Sequence, residues 1–123
     1  MGTAPNRAPG PRFANTADYP VEDLEPIESP VTVSGIPGRA PTQPDVELDI
    51  RHPDPGTLQV DVIAPDGTLH PIKDSYTGWG DADLRGVFGI DASSETANGV
   101  WKLRAYDAFA GYTGSIDGWA LRF

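Results

Sequence analysis

The chain has 123 residues, a net charge of −9 and no cysteine. That length suits one domain with a single core, and the missing cysteine excludes disulfides, zinc–thiolate sites and thiol catalysis. The acidity argues against nucleic acid or an anionic membrane as a partner, since both require a basic patch.

Residues 1–12, "MGTAPNRAPGPR", hold three Pro, two Gly and two Arg but no acid. They have little to bury and read as a flexible linker, with Met1-Gly2 as an added start. All 18 acids fall in residues 13–123, the expected domain. It opens on "DYPVEDLEPIESP", acidic and punctuated by proline. Proline suits edges rather than central strands, so this stretch is expected as an extended edge segment.

From Pro30 the apolar period is two. "PVTVSG" offers Val31 and Val33. "DVELDIRH" sets Val46, Leu48 and Ile50 against Glu47, Asp49 and Arg51. "TLQVDVIAP" sets Leu58, Val60 and Val62 against Gln59 and Asp61. After a short run, "GVFGID", come "VWKLRAYD" and "GWALRF", which put Trp101, Leu103, Ala105, Trp119, Leu121 and Phe123 on buried faces. Such alternation is what half-buried strands require.

Ala64-Pro65-Asp66-Gly67 predicts a type I turn, and Asn98-Gly99 and Asp117-Gly118 read as turn signals. No stretch offers a capped amphipathic helix of three turns. No apolar run approaches the length of a membrane span, and no signal peptide is visible. The residues therefore predict an all-β fold: an antiparallel, jelly-roll-like β-sandwich of about eight strands.

Reactive groups are sparse. Asp81-Ala82-Asp83, with Asp54, Asp74 and Asp107 elsewhere, could ligate calcium, since alternate carboxylates on a bent loop supply the oxygens a hard cation needs. The competing reading is that Asp favours turns for its own backbone hydrogen bonds. His52 and His70 are the only histidines. Without a Gly-x-Ser-x-Gly elbow or a His-Glu-x-x-His helix, they are expected as surface residues at strand ends, not as general bases. Tyr76, Trp79, Phe109 and Tyr112 lie in the Gly-rich loops "DSYTGWGDADLRG" and "DAFAGYTGS". They serve as an exposed contact patch or as caps on the ends of the core.

"APDGT", "DASSETANGVWKLRAYD" and "TGSIDGWALRF" together resemble the P domain, or P/Homo B domain, that follows the catalytic domain of kexin- and furin-like convertases and of many bacterial secreted proteases. The carrying residues are Asn98, Gly99, Trp101, Leu103, Asp107, Thr113, Gly114, Trp119, Leu121 and Phe123. The resemblance spans residues 13–123. It implies a jelly-roll sandwich with no active site of its own, packed as a monomer against the catalytic domain of a secreted serine or metalloprotease. In that family the module supports folding and stability and influences substrate access, calcium dependence and pH dependence. Two departures weaken a family calcium site: Thr57 stands where relatives carry Asp, and Tyr112 stands where they often carry an acid. A carbohydrate- or protein-binding β-sandwich is the alternative. Arginine outnumbers lysine seven to two, the usage of a GC-rich bacterial source.

Overall fold

A computed structural model of the chain describes residues 11–40, 44–74, 83–92, 94–111 and 113–123. Among the described residues it holds nine strands: β1 (Arg12–Asn15), β2 (Tyr19–Val21), β3 (Pro26–Val33), β4 (Asp45–Arg51), β5 (Leu58–Ile63), β6 (Leu69–Lys73), β7 (Leu84–Gly89), β8 (Gly99–Asp107) and β9 (Gly114–Arg122). A 3-10 turn, Pro55–Thr57, precedes β5. The strands form two antiparallel sheets, one ordered β1-β9-β4-β7 with β2 also on β9, the other ordered β3-β8-β5-β6. The expected all-β sandwich is therefore observed.

The two C-terminal ribbons lie inside their sheets. β8 is flanked by β3 and β5, and β9 by β4 on one side and β1 and β2 on the other. Trp101 on β8 is fully buried, and Trp119 on β9 is 3% exposed. Burying such a side chain contributes about 3 kcal/mol or more. Each indole N–H is also satisfied: Trp101 Nε1 donates to Ala97 O at 2.8 Å, and Trp119 Nε1 reaches Ser29 O and Oγ, both at 3.1 Å. The ring of Phe123 closes the core edge-on to Trp101, 5.6 Å between centroids.

The period-two reading holds along β4 and β5: Val46, Ile50, Leu58, Val60 and Val62 are fully buried, and Leu48 nearly so. Proline marks edges as expected, since β3, with Pro26 and Pro30, borders its sheet. The β6 strand was not foreseen because Pro71 interrupts its pattern, yet β6 is the opposite edge, where a missing ladder donor is tolerated. Strand β1 opens at Arg12, whose guanidinium pairs with Glu47 at 3.1 Å. Arg12, and Pro11, whose carbonyl accepts the Phe123 N–H at 3.1 Å, belong by sequence to the linker-like stretch. Asp117-Gly118 is not a turn. It lies within β9 at a register shift opposite Asp49 and Ile50, a bulge that lets β9 run unbroken for nine residues. The Ala64–Gly67 turn does form, closed by Gly67 N–H to Ala64 O at 2.9 Å.

Candidate functional site

Polar chemistry gathers where β4, the 3-10 turn and β8 end together. His52 follows β4 directly and is 2% exposed, which overturns its expected place on the surface. Its Nε2 lies 2.8 Å from Asp107 Oδ2, with both side chains fully shielded from solvent. Its Nδ1 accepts the Asp54 N–H at 3.0 Å. Acceptance at Nδ1 places the proton on Nε2, which donates to Asp107. The other oxygen of Asp107 takes the Thr57 hydroxyl at 2.9 Å and the Phe109 N–H at 3.0 Å. Asp83 completes the cluster from the start of β7: its Oδ1 accepts the His52 N–H at 3.0 Å, and its N–H donates to His52 O at 2.8 Å.

This arrangement uses a histidine, an acid and a hydroxyl, but not for nucleophilic chemistry. Thr57 donates to the carboxylate, not to the imidazole, and both ring nitrogens of His52 are already engaged. No free ring nitrogen remains to abstract a proton. The network instead satisfies buried polar groups and locks three chain segments together. Beside it, Lys73 Nζ donates to three carbonyls, Gly56, Leu58 and Asp74, at 3.0–3.1 Å. Burial holds the Lys73 pKa below 10.5, against the opposing pull of Asp54 and Asp74.

Of the calcium candidates, the structure brings Asp54, Asp83 and Asp107 around His52, while Asp81 lies outside the described residues. Their oxygens are partly committed to hydrogen bonds. Asp107 has both oxygens taken, Asp83 turns one oxygen to the His52 amide, and Asp54 enters the cluster through its backbone. Among the described residues, no group of three or more His, Asp or Glu side chains is placed to hold a metal ion. Asp74 lies apart, with Oδ1 3.1 Å from Gln59 Nε2.

Of the aromatic candidates, Phe109 is 54% exposed, and Tyr76, Trp79 and Tyr112 lie outside the described residues. His70 is likewise not a free surface residue. Its Nε2 lies 2.6 Å from Oε2 of the buried Glu95. Sequence reasoning missed these two pairs because each partner is remote, Asp107 being 55 residues from His52 and Glu95 25 from His70. A second miss is Leu24, exposed and at a positive φ of 60°. No local signal marks it.

Several of the motif residues that suggested a family have a structural task. Asn98 clasps Ile36 by two bonds, Nδ2 to Ile36 O at 2.7 Å and Oδ1 from Ile36 N–H at 3.0 Å. A Cβ on Gly114 would stand 2.0 Å from Arg51 O, so only glycine lets β9 pass this close to the end of β4.

Comparison with known proteins agrees. The model of the family described as the proprotein convertase P-domain matches residues 42–123. Leupeptin-inactivating enzyme 1 of Streptomyces exfoliatus is 41% identical over all of this chain, which spans 28% of that protein. The transglutaminase-activating metalloprotease of Streptomyces mobaraensis is 36% identical over 93% of the chain and 15% of its own length. The extracellular basic protease of Dichelobacter nodosus is 32% identical over 84% of the chain and 17% of its own length. In fold, the serine protease of Aeromonas sobria matches with a TM-score of 0.68 at 14% identity, over 91% of this chain and 27% of that one. The chain thus spans about a quarter or less of the curated relatives it matches. By its motifs, its two-sheet architecture and these matches, the chain belongs to the proprotein convertase P-domain family.

Proposed function

We propose that this P domain is a non-catalytic accessory module of a secreted bacterial protease, stabilising the catalytic domain and shaping access to its cleft. The observation that carries the reading is coverage: the whole chain aligns to a relative named as a leupeptin-inactivating enzyme, yet accounts for only 28% of it. Two further relatives are named as a metalloprotease and an extracellular protease. The engaged nitrogens of His52 support the same reading.

A docked module stabilises its partner as far as it prefers the partner's folded form. Expressing the protease that carries this domain with and without residues 13–123 tests the role. Loss of yield, or a lower melting temperature of the catalytic part, is expected on deletion. An unchanged melting curve and substrate profile would refute it.

A further inference from the structure

Four large apolar side chains are prominently exposed among the described residues: Leu24, Leu69, Val100 and Phe109. Leu69 and Val100 sit on strands, and isolated apolar residues on an outer sheet face are ordinary. Leu24 and Phe109 differ, because one buried residue holds both. The carbonyl of Asp107 accepts the Leu24 N–H at 2.9 Å, and its carboxylate accepts the Phe109 N–H at 3.0 Å. The two segments are tied again by Gly111 N–H to Asp23 Oδ2 at 3.1 Å and by a bridge between Asp23 and Asp107.

Leu24 also carries strain. Its φ of 60° is left-handed, a region that a branched aliphatic side chain adopts only when its surroundings enforce it. Its backbone gains the bond to Asp107, but its side chain gains no burial, being 53% exposed. Beside it lies an open groove of about 470 Å³ lined in part by Glu22, Asp23 and Glu25. One oxygen of Asp23, Oδ1, is buried without a hydrogen-bond partner.

We propose that Leu24 and Phe109 form the docking point for the rest of the protease chain, on a surface that offers an apolar socket with Lys or Arg beside it. The inference rests on the accessory role above and names the surface through which it acts. The buried His52–Asp107 network is the rigid base that displays the two side chains. The acids at 22, 23 and 25 receive the basic rim, as the overall charge of −9 favours.

The test uses the whole protease that carries this domain, beside the 123-residue chain alone. Leu24→Ser with Phe109→Ser is expected to lower the melting temperature of the protease toward that of the domain-deleted form, while the chain alone keeps its own. Leu24→Gly is expected to act with opposite signs, raising the melting temperature of the chain by relieving the left-handed strain and lowering that of the protease. Leu69→Ser with Val100→Ser is the matched control and should change neither. If deletion destabilises the protease but the Leu24 and Phe109 variants do not, this surface is wrong and the accessory role survives. If the control pair has the larger effect, docking lies on the outer sheet face instead. A loss of stability in the chain alone equal to that in the protease would make the pair merely structural. A deletion without effect would remove the accessory role and this inference together.

Discussion

Asp107 and His52 face each other at 2.8 Å in the interior, each side chain wholly out of contact with solvent. The carboxylate takes three donors, the His52 ring, the Thr57 hydroxyl and the Phe109 amide. Asp107→Asn keeps the shape, but its amide NH2 must face either the Nε2–H of His52 or the Phe109 N–H, donor against donor, with Nδ1 of His52 unable to switch because it holds the Asp54 amide. A loss of about 1–3 kcal/mol in urea unfolding is expected, because a buried donor is left unpaired. Nitrogen-15 NMR should find the His52 proton on Nε2; a proton on Nδ1 would contradict the network.

Burial at Lys73 has a pH signature of defined sign. Its pKa is lowered from 10.5, with burial the leading cause, so the unfolded chain binds that proton more tightly than the folded one. The cost of burying the charge is present below the folded value and is relieved as pH rises through it toward 10.5. Relative to Lys73→Met, the wild-type chain should therefore gain stability across that alkaline window. A difference that stays constant with pH would show that the ammonium is not buried as described.

The turn after β5 likewise gains stability as pH rises, but in the acid range. The Thr68 amide, 2.9 Å from Asp66 Oδ1, is the leading cause that holds the Asp66 carboxyl below 3.8. A depressed carboxyl contributes stability above the unfolded value and loses it as pH falls through the folded one. The melting-temperature gap between wild type and Asp66→Ala should be widest above 3.8 and close at more acid pH. A gap independent of pH would exclude this contribution.

Two glycines separate strain from collision. Gly67 has a φ of 91° with no atom within 4 Å of a built Cβ, so Gly67→Ala should cost about 1 kcal/mol in backbone strain alone. Gly114→Ala would drive its Cβ to 2.0 Å from Arg51 O, against backbone that is pinned by β9 and β4 pairing. A loss of about 3 kcal/mol is expected there. Equal melting temperatures for the two variants would contradict the close approach of Gly114 to Arg51.

Trp101→Phe removes the N–H bound to Ala97 O and opens a void in the interior. The expected loss is about 2 kcal/mol in denaturant unfolding. An unchanged midpoint would mean that Trp101 does not anchor the core.

The alternation through Leu58, Val60 and Val62, the Pro65 turn and the tryptophan ribbons could be read directly because each is a local pattern. Period two needs only neighbouring residues, and the buried faces followed from it. The strand β6 and the Asp117 bulge escaped that reading because their meaning depends on position within a sheet: Pro71 is acceptable only at an edge, and Asp117-Gly118 departs from a turn only because β4 continues alongside. The polar cluster lay further from view. Nothing near His52 announces Asp107, and nothing near Leu24 announces its left-handed backbone. Chain order carries the apolar rhythm, while the pairing of distant polar groups arises only once the two sheets close and water is excluded, when each buried donor must find whichever acceptor the topology has brought within reach.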